Sequence, residues 1–209
     1  MSLPLDNITR EESSQKTIPA GLNLALKDDK MLWKLLKDGS ETAFVEVYKQ
    51  HFQILYDLGR QFSGDFELVK DCIQDVFVAI RTKRSKLPVV SSIKAYLLKA
   101  VRNRILTEIR NSRKNRFSKI TKSALNFQVV PSYESVLINR QFNDQQILQI
   151  QHALSLLPER QREAVYHFYY SNLSYDEIRD IMNFGSTKAA RNLIYRALAE
   201  IRKTLKARQ

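Results

Sequence analysis

Along this chain apolar residues recur at three- and four-residue steps in a series of separate runs, the pattern of amphipathic helices, and the chain reads as all-α. The first run, "DDKMLWKLLKDG", has an acidic start and a glycine stop at Gly39. Ser40 then caps a second helix in which Phe44, Val47, Tyr48, Phe52, Leu55 and Tyr56 form one inward stripe. A third helix begins near Asp65. Val69, Ile73, Val76, Phe77 and Ile80 form its inner face, while Asp71, Gln74, Asp75 and Val78 line the opposite side. Beyond a loop at Pro88, a fourth helix turns Ile93, Leu97, Ala100, Val101 and Ile105 inward and Lys94, Lys99, Arg102, Asn103 and Arg110 outward.

From Phe117 to about Asn139 the periodicity lapses and Pro131 interrupts the chain, as in a linker. It returns near Arg140 with Ile147, Ile150, Leu154 and Leu157. Pro158 opens a fresh helix with Val165, Phe168 and Tyr169 inward. Ser174 and Glu177 have capping-box spacing ahead of an inner face of Ile178, Ile181 and Met182, and Asn183 to Ser186 make a turn. The last helix, from Thr187, buries Ala190, Ile194, Ala197, Leu198 and Ile201. Lys188, Arg191, Asn192, Tyr195 and Arg202 face solvent, which completes a helix-turn-helix shape. The expected organisation is a flexible tail over 1–24, a four-helix domain over 25–116, a linker over 117–139 and a helix-turn-helix domain over 140–209.

Composition removes several functional classes. With 209 residues and 44% hydrophobic content the chain can build real cores. It has no run of 18 apolar residues and no basic-then-apolar start, so the expectation is a cytoplasmic protein without direct membrane insertion. The lone Cys72 has no partner for a disulfide, and three scattered histidines do not make a zinc site, so no metal or cofactor is expected. His51 and His152 read as surface or half-buried positions. The carboxylates show no clustered metal-binding pattern, which argues against an enzyme and against a small-molecule substrate.

The net charge of +12 is concentrated rather than spread. From Arg81 to Lys122 there are fourteen Lys and Arg against the single acid Glu108, and the remainder of the chain is nearly neutral. Such a block suits a polyanion, because neutralising phosphates releases counterions and gives affinity independent of sequence. Two binding readings remain open on the residues alone. One is a helix-turn-helix regulator with a sensing bundle; the other is a factor whose two modules both serve nucleic acid. The basic block in the first module is out of place for a sensor.

The segments "DCIQDVFVAIRTKRSKL", "SSIKAYLLKAVRNRILTEIR", "ALSLLPERQREAVYHFYYSNLSYDEIRDIM" and "RNLIYRAL" resemble, in this order, the two modules of an extracytoplasmic-function sigma factor of bacterial RNA polymerase. The resemblance covers about Asp28 to Lys206. It implies a region 2-like bundle that binds core RNA polymerase and the minus-ten promoter element, and a region 4-like helix-turn-helix that binds the minus-thirty-five element. It implies promoter selection and DNA melting for transcription initiation, without a catalytic residue.

Carried over position by position, the resemblance makes Asp71, Gln74, Asp75 and Val78 the polymerase-binding face. Lys86, Ser91, Ser92, Lys94, Lys99, Arg102 and Asn103 become the minus-ten face, with a flipped base held by the Lys86 to Ser92 loop. Ser186, Thr187, Lys188, Arg191, Asn192 and Tyr195 become the minus-thirty-five face. Tyr96 stands where the family often has tryptophan, with core packing and base stacking both open. The linker, with Phe127 and Tyr133, would run through the polymerase. An anti-sigma protein is a candidate partner. There are two departures from the family pattern. Arg179 replaces a small residue, and the turn in "NFGSTKAARN" is one residue longer than usual, so Lys188 and Arg191 are left between phosphate and base contacts.

Overall fold

The computed structural model describes residues 28–115, 127–129 and 144–206. The expected tail over 1–24 and most of the expected linker lie outside these. Among the described residues the regular structure is helical: α1 (Asp29–Lys37), α2 (Glu41–Phe62), α3 (Phe66–Thr82), a short 3-10 turn (Arg84–Lys86), α4 (Ile93–Asn115), α5 (Asp144–Ser155), α6 (Glu159–Tyr169), α7 (Tyr175–Ile181) and α8 (Thr187–Lys206).

Local chemistry sets the helix ends. Gly39 takes φ +98°, a left-handed conformation open to glycine, and Ser40 caps the next helix by accepting from the Ala43 N–H. Asp65 caps α3 through the Leu68 N–H. The start of α4 is capped twice. Ser92 Oγ accepts from the Ala95 N–H at 3.1 Å, and Asp29 of α1 accepts from the Ile93 N–H at 2.9 Å. Trp33 Nε1 donates to the Pro88 carbonyl at 2.8 Å, so α1 fixes both the loop before α4 and the helix itself.

Helices α2, α3 and α4 pack pairwise around Leu55, Leu58, Val69, Ile73, Leu97, Val101 and Ile105. The expected inner face of α3 is buried throughout, and Asp71, Gln74, Asp75 and Val78 are all exposed. Approach is tightest at Gly59, where an added Cβ would lie 2.3 Å from Val69 Cγ1 and 3.2 Å from Ile105 Cδ1. Gly59→Ala is therefore expected to destabilise the protein. Overpacking costs about 1–3 kcal/mol, against roughly 1 kcal/mol gained from helix propensity. A lowered urea midpoint at unchanged slope is the expected readout.

Several expected faces need correction. Tyr169 is 56% exposed; the buried residues of α6 are Glu163, Ala164, Val165, Tyr166 and His167, because the helix is covered on two sides. Ile150 and Tyr48 lie at the surface, and His51 is buried with Nδ1 2.9 Å from the Val47 carbonyl. Arg102, expected on the outer side of α4, has a side chain only 13% exposed.

Its burial follows from the way the helices join. α4 packs against α7, and one apolar core runs from the N-terminal helices into the C-terminal ones. Leu98, Arg102 and Leu106 stand at four-residue steps along one side of α4, and both leucines are buried. Phe127, expected in a linker running out through the polymerase, is fully buried here. Its ring meets Phe62 of α2 edge-on at 4.9 Å and Tyr166 of α6 at 5.5 Å. The Gln128 N–H donates to the Gln61 carbonyl, and Arg162 Nη1 donates to the Phe127 carbonyl, both at 2.8 Å. The 127–129 segment thus straps α2 to α6.

Candidate polymerase and nucleic-acid interfaces

The acidic face is built on the solvent side of α3. Burying Val69, Ile73, Val76 and Phe77 leaves Asp71, Gln74, Asp75 and Val78 pointing outward, with Val78 55% exposed. Arg104 of α4 reaches across and donates to Asp75 Oδ2 at 2.9 Å while also holding Glu108 at 2.8 Å. Asp75 is thereby fixed in place but half-neutralised, and Asp71 and Gln74 carry the freer polar groups. Beside them a groove between α3 and α4 is lined by Val78, Ala79, Lys83, Ala100, Asn103 and Thr107. Asn103 therefore sits with the α3 face, although the sequence assigns it to the minus-ten group.

The basic face of α4 and the loop before it is divided. Lys86 and Ser91 are exposed. Ser92, Lys94, Lys99 and Arg102 are partly covered by the C-terminal helices. Arg102 makes a two-pronged ion pair with Glu163 of α6: Nε donates to Oε1, and Nη2 donates to Oε2 at 3.1 Å. Burial pushes the Glu163 carboxyl up, but His167, 3.7 Å away, and Arg102 together hold it down at about 2. Burial raises the Glu177 carboxyl too, and the Ser174 cap, with Ser92 and Lys94 on the α4 side, outweighs it to leave it below the usual range. Asp180 is lowered first by its hydrogen bond from Arg179 and further by the charge of Lys99. Tyr96 packs edge-on against Trp33 at 5.1 Å and burial raises its hydroxyl, which matches core packing of the two roles left open.

The helix-turn-helix is stitched by side chains around its turn. Ser174 and Glu177 form the full capping box of α7. Asn183 takes φ +53° in the turn, and Arg160 lies over the Phe184 ring at 4.9 Å. Ser186 Oγ accepts from the Ala189 N–H at 3.2 Å, ahead of α8. Thr187 Oγ1 donates to Asp176 Oδ1 at 2.6 Å, and Arg179 donates to Asp176 at 2.9 Å and to Asp180 at 2.8 Å. Arg179, the departure from the family pattern, thus braces the joint between α7 and α8 without displacing core. Lys188, Arg191, Asn192 and Tyr195 fall on one exposed stripe of α8. Arg191 lies over the Tyr175 ring at 5.2 Å, so its guanidinium is positioned by an aromatic platform.

Sequence reasoning did not single out Glu163. Its signal was the row Glu163, Tyr166, His167 and Tyr170, a second stripe on α6 that only a second neighbouring surface would bury. Among the described residues there is no group of His, Cys, Asp or Glu able to hold a metal ion, and no helix long and apolar enough to cross a membrane.

Comparison with known proteins agrees with these two modules. Residues 47–115 match the model of sigma-70 region 2, and residues 147–201 match that of sigma-70 region 4. The fold is similar to a structure of CnrH in complex with the cytosolic domain of CnrY, with a TM-score of 0.58 at 20% identity over 88% of this chain and 100% of that one. It is also similar to the sigma factor RpoE in complex with the anti-sigma factor NepR from Bartonella quintana, with a TM-score of 0.55 at 19% identity over 79% and 98% of the two chains. No curated protein matches the chain significantly. With region 2 and region 4 in order and together spanning more than half of its length, the chain belongs to the sigma-70 family. It is a sigma factor, a specificity subunit that binds core RNA polymerase and promoter DNA.

Proposed function

We propose that the three faces divide this work residue by residue. Asp71, Gln74, Asp75 and Val78 bind a basic surface of core polymerase, with Asn103 at the edge of the same contact. Lys86, Ser91, Ser92, Lys94, Lys99 and Arg102 take the minus-ten element and favour its melting. Ser186, Thr187, Lys188, Arg191, Asn192 and Tyr195 take the minus-thirty-five element. The observation that carries the reading is the α3 surface: an acidic, exposed stripe opposite a fully buried face, in the module that also holds the basic block. DNA would repel such a stripe, whereas a cationic protein would not.

The protein acts by binding, with no reaction of its own, and works in the cytoplasm beside polymerase and DNA. Melting follows from substitution of contacts: bases that leave the stack are held by protein groups in place of their neighbours. Both structural relatives were solved with a second protein bound, CnrY and the anti-sigma factor NepR, and an anti-sigma protein is proposed as a regulator of this chain as well.

The minus-thirty-five assignment has its own test. Arg191→Ala is expected to cost about 1–3 kcal/mol on the matched promoter, and less on a scrambled one, if the side chain reads a base. An equal loss on both sequences, with the salt slope reduced by about one, identifies a phosphate contact instead. Holoenzyme affinities at several salt concentrations distinguish these outcomes. No effect of either kind removes Arg191 from the interface.

A further inference from the structure

Tyr175 is the first residue of α7 and lies outside the group of residues assigned above to the minus-thirty-five element. Its ring stacks on Phe168 of α6, with centroids 5.0 Å apart and 20° between the planes, and Phe168 itself packs against the core. Arg191 of α8 lies over the Tyr175 ring with its guanidinium carbon 5.2 Å from the centroid. Core, ring, ring and cation are thus linked in series, from the interior to an exposed position of α8. The adjacent pair fixes the same joint. Thr187 Oγ1 donates to Asp176 at 2.6 Å, and Arg179 Nη1 reaches Thr187 Oγ1 at 3.3 Å. Thr187 and Arg191 stand one turn apart on α8, and their partners Asp176 and Tyr175 are neighbours on α7, so the two contacts together set the rotation of α8 against α7. They do so where the turn is one residue longer than the family pattern, which is where register most needs fixing.

We infer that Tyr175 is a positioning residue for promoter readout, holding Arg191 for a guanine in the minus-thirty-five element. The inference rests on the minus-thirty-five reading of α8 given above. A ring face attracts a cation without using any of its N–H donors, so the arginine is steered while its fork stays available. Guanine is the base that suits such a fork, because it alone presents two acceptors, N7 and O6, side by side in the major groove. A long side chain loses rotamer freedom when it docks, and one already held against a platform loses less. Tyr175 touches no base in this scheme and acts through Arg191. A tyrosine that only packed α7 would affect every promoter sequence alike, whereas a positioning residue affects one base position.

The test uses holoenzyme assembled from core polymerase and the full chain. The probe is a genomic promoter that the wild-type holoenzyme transcribes, with its upstream element randomised, and sequencing of the bound fraction gives the base preference at each position. Arg191→Ala is expected to reduce a guanine preference at one position about tenfold. Tyr175→Leu is expected to reduce the same preference about fivefold, with scrambled sequences little changed, and Tyr175→Phe to stay within about twofold of wild type because it keeps the ring. Tyr175→Leu added to Arg191→Ala should change the preference by less than about twofold, since the tyrosine acts through the arginine. A second measurement does not depend on the leucine variant folding: in the free chain, proton NMR should show the Arg191 δ-methylene shifted upfield by the ring current in wild type and in Tyr175→Phe.

A Tyr175→Leu variant that keeps the guanine preference, or that weakens all sequences equally, overturns the inference. So does a Tyr175→Phe variant that loses as much as Tyr175→Leu, a double variant whose losses simply add, or a wild-type Arg191 δ-methylene at its unshifted position. If Arg191→Ala leaves every base preference unchanged, the minus-thirty-five reading of Arg191 itself falls and the inference falls with it. Loss of the preference in Arg191→Ala but not in Tyr175→Leu removes the role of Tyr175 alone.

Discussion

Reversing charge at Asp71 and Asp75 together, to lysine, is expected to weaken binding to core polymerase at least a hundredfold while leaving helix content unchanged. The two carboxylates are one turn apart on the exposed side of α3, and neither contributes to the core beneath them. A basic partner that gained two attractions in the wild type meets two repulsions in the variant, and like charges brought together at an interface cost several kcal/mol. Asp75→Lys also removes a partner of Arg104, but Glu108 still holds that guanidinium at 2.8 Å, so the fold loses about 1 kcal/mol at most. Circular dichroism and co-purification with core enzyme measure the two effects separately. Retention of the variant on immobilised core polymerase at wild-type levels removes α3 from the polymerase interface.

Phe127→Ala is expected to uncouple the two halves of the molecule. The ring is fully buried and belongs to neither helical module, yet it packs on Phe62 in one and Tyr166 in the other. Truncating a buried phenylalanine costs about 3–5 kcal/mol through lost transfer energy and the cavity left behind. Here that cost falls on the docking of the modules, since each keeps its own buried stripe. Denaturant unfolding followed by both fluorescence and circular dichroism should pass from one cooperative transition in the wild type to an earlier, split one in the variant. Superimposable curves would mean that Phe127 and the strap around it contribute little to closure.

The comparison of sequence with structure divides along one physical line. Faces buried within a module were legible: the α3 stripe from Val69 to Ile80, the Ser174–Glu177 capping box, and Ala190, Ile194 and Ala197 of α8 all follow from local spacing and need only a neighbour close in sequence. Faces buried between modules were not. Arg102 looks like a solvent or DNA contact until its partner, 61 residues further on, is brought against it. Glu163 and His167 carry no local sign of the surface that buries them, and Tyr169 then takes the inward place that belongs to Tyr166. Phe127 lies in a segment without periodicity, so no stripe announces its burial. Periodicity reports that a face is covered but not by what, and a charged residue at an interface imitates an exposed one unless its countercharge is nearby in the chain. Even so, Leu98 and Leu106 flank Arg102 at four-residue steps, an apolar frame around a cation that marks a buried ion pair more than an open surface.

As a sigma factor, this chain gives polymerase its promoter choice through the two modules acting together. Run-off transcription tests it most directly, with purified core RNA polymerase, the full chain and a library of genomic promoter fragments. The expected result is a set of specific transcripts that share upstream and downstream elements, that depend on the added chain, and that disappear with the Asp71→Lys, Asp75→Lys variant. Polymerase that initiates no differently with the chain than without it would show that the chain does not select promoters.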